Sequence, residues 1–171
     1  MEDGKCIRCR AAGKTPGAAF SVLMVGRIDD YLRDVAKDMQ ADVSEADIIC
    51  AGTAAIKNAY KECRARGYEA KLMPAGMRGA YHATALAGSD MSFSLSAGIV
   101  DACGKETEFV EHINDEVSAE TIEKLRTIPE FVRAYEIGGL DESEFIRFGA
   151  SQRTLSQFVE AGWGMVVNFK L

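Results

Sequence analysis

No apolar run in this sequence reaches the ~18 residues that a membrane-spanning helix needs. Its first eighteen residues are charged and lack the apolar stretch of ~7 that marks a secretion signal. These two absences predict a cytoplasmic protein that touches no membrane. A basic stripe is missing as well. The net charge is −6 and the acidic residues are spread along the chain, so a nucleic-acid partner is not expected. Small anions stay open as ligands, because local sites hold them. There is no internal repeat and no low-complexity tract. A disulfide framework is not expected either. The five cysteines, Cys6, Cys9, Cys50, Cys63 and Cys103, are odd in number, and three lie in helix- or strand-like segments, which suits reduced thiols.

Several chemical signatures are incomplete. Cys6-Ile7-Arg8-Cys9 has the spacing of half a zinc site or a redox pair, but no second pair exists and both His82 and His112 are distant. No metal is assigned; the alternative is a small thiol or zinc protein built on these two cysteines. Gly13-Lys14-Thr15 ends like a P-loop, yet the earlier glycine would fall at Arg8 and no strand precedes it. No serine has both a glycine elbow and a matching histidine, so a hydrolase triad is not assembled.

What is present is an ordinary globular composition, 47% apolar and 27% charged over 171 residues. Residues 1–17 read as an irregular lead-in. Ala18–Val25 is a continuous apolar run, the pattern of a strand covered on both faces. Arg27–Asp38 reads as a short helix. Ser44 with Asp47 opens a longer one, and Gly67 ends it. Glu69–Met73 is a second strand that breaks at Pro74. A helix over Arg78–Ala87 closes at Gly88, Met91–Leu95 is a third strand, and Ala97–Cys103 is helical. The alternation implies parallel strands over 18–104. Residues 105–171 form a helical extension of the same domain, with starts at Ser118, Asp141 and Ser151 and stops at Pro129, Gly149 and Gly162. Phe131, Tyr135, Phe145, Phe148, Phe158 and Trp163 recur in it at helix-like intervals and read as packing residues.

Ligands of parallel α/β folds bind beyond the C-terminal ends of strands. Arg27 follows the first strand and Arg78 the second, and the loop Pro74-Ala75-Gly76-Met77 offers backbone N–H groups ahead of Arg78. Two guanidinium forks and free N–H groups make a cradle for a dianion. The alternative for Arg27 is a solvated ion pair with Asp29 or Asp30. His82, one helical turn after Arg78, faces the same anion or is a partly exposed helix residue; His112, beside Glu111, reads as surface.

Three blocks carry a resemblance: Val25-Gly26-Arg27-Ile28-Asp29-Asp30-Tyr31, then Gly67-Tyr68-Glu69-Ala70-Lys71-Leu72-Met73-Pro74-Ala75-Gly76-Met77-Arg78, then Leu86-Ala87-Gly88-Ser89-Asp90. In order and spacing the stretch from Phe20 to Leu95 resembles the C-terminal half of the transaldolase family. That resemblance implies the C-terminal portion of a (β/α)8 TIM barrel, with about three parallel strands followed by a helical tail. It implies a phosphorylated sugar as ligand, its phosphate bound by Arg27 and Arg78 with Gly76 and Met77. It also implies transfer or cleavage of a dihydroxyacetone unit through a lysine Schiff base, in carbohydrate metabolism and without cofactors.

Two departures qualify the resemblance. Gly76 stands where the family commonly has a serine, and the strands that carry the family's lysine have no counterpart here. Lys71, the lysine on a strand, does not match that position and reads as a strand-end residue reaching water. The expectation is therefore a protein inactive alone, a truncated or split barrel, or else a non-catalytic sugar-phosphate-binding module. Exposed sheet edges predict a homo-oligomer or association with a complementary barrel portion.

Overall fold

A computed structural model of the chain describes residues 4–105 and 110–169, with side chains from Ile7 onward. Two strands, β1 (Phe20–Met24) and β2 (Lys71–Ala75), pair in parallel, with Phe20 opposite Lys71 and Met24 opposite Ala75. Parallel neighbours need a long crossover. Here it is three helices, α2 (Val25–Met39), α3 (Glu45–Ile48) and α4 (Ala51–Ala65). The residues before β1 are not irregular throughout, because α1 covers Gly4–Ala11. Met24 caps α2 directly, so Arg27 stands in the first turn of the helix.

The barrel portion with three parallel strands is not formed: the sheet has two strands among the described residues. Pro74 gives the reason. It lies inside β2 instead of ending it, opposite Leu23. Alternate residues of a strand direct their N–H groups to opposite neighbours, and Lys71 N already donates to Ala19 O on the β1 side. The nitrogen of Pro74 therefore faces away from β1 and costs that pairing nothing. On the far side, Met91–Leu95 runs alongside, with Ser92 N donating to Leu72 O and Ser94 N to Pro74 O, each at 3.0 Å. A parallel ladder would answer with the N–H of residue 74 to Ser92 O, and proline has none. The third segment is tethered without becoming a strand.

Past β2 the chain forms α5 (Ala80–Thr84) and α6 (Ala97–Cys103), then α7 (Ala119–Arg126) and α8 (Pro129–Tyr135). A 3-10 segment over Glu142–Arg147 leads to α9 (Gly149–Gln157), a π-helical stretch over Phe158–Trp163, and α10 (Gly164–Val167). Three expected stops are thus corrected. Pro129 opens α8 at its first position, where a missing N–H is an orphan in any case. Gly149 opens α9, and Gly162 sits within helix.

The expected longer helix from Ser44 is split. Ser44 and Asp47 do form a reciprocal capping box, but it opens the single turn α3, and α4 starts afresh at Ala51. Two apolar clusters lie on either side of α4. One joins Ile28 and Leu32 of α2 to Ile48, Ala54, Leu125, Ile128 and Phe131. The other joins Val25 and Ile56 to Leu72, Met77, Leu86 and Met91. Each large side chain buried in this way contributes roughly 1.5–3 kcal/mol before the entropy of ordering is charged. The helical tail is therefore tied to the α/β part through α7 and α8. No helix among the described residues is long and apolar enough to cross a membrane.

Candidate functional site: Arg27, Arg78 and the carboxylates between them

Glycine sets how closely the pieces approach. A Cβ on Gly26 would lie 2.4 Å from Gly76 O and 2.7 Å from Arg78 Cγ. The stem of Arg78 therefore crosses the bare backbone of the first turn of α2, beside Arg27. On the other flank, a Cβ on Gly52 would meet Val25 O at 2.3 Å, so α4 also closes on α2 without a side chain between.

Arg27 turns toward the helical tail. Its guanidinium carbon lies 5.7 Å from the centroid of the Phe158 ring, within cation–π range. Its Nε is buried and has no hydrogen-bond partner. The side chain borders an open cavity of about 890 Å³ between β1, α4 and the tail, with Leu23, Ile28, Phe148, Leu155 and Phe158 among its walls. Neither Arg78, Gly76 nor Met77 lines it. The ion pair of Arg27 with Asp29 or Asp30 does not form; both carboxylates are engaged elsewhere.

Arg78 is held by Asp30. One carboxylate oxygen, Oδ2, accepts from Arg78 Nε at 3.0 Å and from Nη2 at 2.6 Å, while Nη1 donates to Gly76 O at 3.0 Å. The other oxygen accepts from Arg33 Nη1 at 3.1 Å. Burial pushes the Asp30 carboxyl up, but hydrogen bonds and charge from Arg78 and Arg33 outweigh it and leave it below the ordinary value. Gly76 adopts a left-handed backbone, φ +61°, and offers its carbonyl to the arginine. Met77 is buried in the second apolar cluster.

No family model, no curated protein and no solved structure matches this chain.

Asp29 meets His82, and both are fully buried. Arg78 N donates to His82 Nδ1 at 3.2 Å, which leaves Nε2 to carry the proton toward Asp29 Oδ2 at 2.8 Å. Gly52 N donates to Asp29 Oδ1 at 2.7 Å. Burial raises the Asp29 carboxyl above its usual range, opposed by these hydrogen bonds. Every polar atom of the pair that this geometry can satisfy is satisfied, so it fastens α5 to α2 rather than facing an anion. The i, i+4 spacing of Arg78 and His82 was the visible signal, but it led to a backbone contact.

Lys57 is the residue that sequence reasoning missed. It is buried in α4, and Nζ donates to His112 O at 2.7 Å and Asp115 O at 2.6 Å. Burial lowers its ammonium below the ordinary lysine value. A lysine amid Ala54, Ala55 and Ile56 was the available clue. His112 Nδ1 pairs with Asp115 Oδ2 at 2.7 Å at the same turn. Lys71, at the start of β2, is exposed. Cys9 is a free, half-buried thiol, whereas the side chain of Cys6 lies outside the described residues. Among the described residues no three metal-ligating side chains cluster.

Proposed function

We propose that this chain binds the phosphate of a phosphorylated small molecule through Arg27, and that the ligand is a sugar phosphate, as the likeness of its three sequence blocks to transaldolases suggests. The carrying observation is the buried, unpartnered Nε of Arg27 at the wall of an open cavity. A buried donor left without a partner costs roughly 1–3 kcal/mol, which an entering oxyanion relieves. The guanidinium carbon of Arg27 lies 5.7 Å from the centroid of the Phe158 ring, and a guanidinium fork matches phosphate oxygens. Tyr68, Ser151 and Thr154 on the same walls supply polar atoms for hydroxyl groups.

Binding without Schiff-base chemistry is the version these residues support, since no lysine lines the cavity among the described residues. The test titrates fructose 6-phosphate while following the melting temperature, because a ligand of the native state stabilises it by mass action. Arg27→Met keeps the apolar stem and removes the fork; it is expected to abolish the shift. A shift that survives in this variant defeats the proposal. Borohydride added to the mixture is expected to leave the protein mass unchanged, and a sugar adduct would overturn the non-catalytic version.

A further inference from the structure

We infer that the buried Asp29–His82 pair is a proton-operated latch: one proton taken up in mild acid releases the loop between β2 and α5 from the body of the fold. Neither residue lines the cavity beside Arg27, so this inference stands apart from phosphate binding.

The pair is the middle link in a chain of three hydrogen bonds. Gly52 N donates to Asp29 Oδ1 at 2.7 Å, His82 Nε2 meets Asp29 Oδ2 at 2.8 Å, and Arg78 N donates to His82 Nδ1 at 3.2 Å. Each contact holds one hydrogen, and both end donors are backbone N–H groups that do not give up their proton. The two side chains are fully enclosed, and neither carboxylate oxygen has another partner among the described residues. The chain is therefore full. An added proton that makes imidazolium lies on Nδ1. One that makes a carboxylic acid, donating from Oδ2 to Nε2, sends the ring hydrogen to Nδ1 as well. In both cases two hydrogens face each other between His82 and Arg78. A proton on Oδ1 would instead oppose the Gly52 N–H or point at no acceptor, and a buried donor without an acceptor is costly.

The contact that yields is Arg78–His82. It is the longest of the three and its donor lies in the loop of residues 76–79, whereas Gly52 is held in the first turn of α4. Burial keeps the Asp29 carboxyl above its ordinary 3.8 despite its hydrogen bonds, so the folded chain accepts a proton at a pH where the unfolded one stays ionised. Acid in that window favours the fold even as it opens the contact, because removing a buried charge outweighs losing one neutral hydrogen bond. The groups around the pair supply no rescue. Arg33 and the Arg78 side chain are engaged with Asp30 and Glu45, the Cys50 thiol donates to Ala46 O, and the Tyr81 ring stacks on the imidazole at 4.3 Å.

The test is an NMR titration of the full chain from about pH 8 to about pH 4, following the ring nitrogens of His82 and the Arg78 amide together. Both are expected to change with one midpoint. Hydrogen exchange at Arg78, corrected for its intrinsic pH dependence, is expected to quicken about tenfold while the circular dichroism holds. Asp29→Asn mimics the protonated pair: its side-chain amide donates to Nε2 and puts the ring hydrogen on Nδ1. It is expected to show the fast-exchanging Arg78 amide already at neutral pH. An Arg78 amide that stays slow throughout, midpoints that differ, or a ring that titrates only on global unfolding overturns the inference. So does a protected Arg78 amide in folded Asp29→Asn. If that variant loses the wild-type circular dichroism, the wild-type titration decides alone.

Discussion

Two neighbouring aspartates on α2 meet different fates because one faces inward and the other outward. Asp29 is enclosed with His82, and Asp30 is shared by two arginines at the surface. A third carboxylate, Asp47, shows what a local hydrogen bond does to charge. Its Oδ2 accepts from Ser44 Oγ at 2.6 Å and Ser44 N at 3.1 Å, and its Oδ1 accepts from Thr121 Oγ1 at 3.1 Å. The hydrogen bond from the Ser44 side chain is the main cause that holds Asp47 below its ordinary 3.8. A carboxyl lowered in the folded state adds stability above the unfolded value and loses it as pH falls through the folded one. Asp47→Asn is therefore expected to cost roughly 0.5–1 kcal/mol at neutral pH, the worth of a cap contact. Urea unfolding at neutral pH and again below pH 3.8 checks the sign: the gap between variant and wild type should narrow in acid. A gap of constant size would mean that the charge on Asp47 does not hold the turn. Asp29 works in the opposite sense, since a raised carboxyl favours the fold most below 3.8 and less as pH rises through its folded value.

At the level of elements, Pro74 decides whether the sheet has a third strand. Pro74→Ala restores the missing N–H opposite Ser92 and is expected to convert Met91–Leu95 into a paired strand. Hydrogen exchange reads this directly: the new amide at position 74 should exchange slowly, together with those of Ser92 and Ser94. Fast exchange at 74 would show that the segment lies out of parallel register. The example also marks which elements could be read without coordinates. Ser44 and Ser118 revealed helix starts because a cap is a contact over three residues, and both hydroxyls accept the expected N–H. Gly67 and Gly88, both with positive φ, revealed where the chain turns. Pro74 and Pro129 were misread because the same residue type is tolerated wherever its nitrogen faces no acceptor, and facing is decided by neighbours distant in sequence. The candidate site divides in the same way. The positions of Arg27 and Arg78 beside strand ends were legible. Their partners Phe158 and Asp30 were not, since they lie far along the chain and nothing local selects them.

Across the whole molecule, uncovered apolar surface includes the edge of the sheet and the end of the tail. β1 pairs on one side with β2 and has no strand on its other side among the described residues, and Phe20 and Val22 on it are exposed. The end of the tail is barer, with Trp163 64% and Met165 70% exposed and Val166, Val167 and Phe169 alongside. An unpaired edge offers N–H and C=O groups to another strand, and contiguous apolar patches of this kind rarely stay in water. The net charge of −6 opposes association through long-range repulsion, but screening at physiological salt confines that repulsion to about 8 Å. Short-range apolar contact then dominates. Sedimentation velocity is expected to show reversible association that grows with protein concentration. Replacing Trp163 and Val166 together by glutamate should shift the distribution to monomer while the helical circular dichroism persists, because neither side chain belongs to a buried cluster. A single monomeric species at every concentration in the wild type would mean that the exposed edge of β1 and the apolar end of the tail do not drive association.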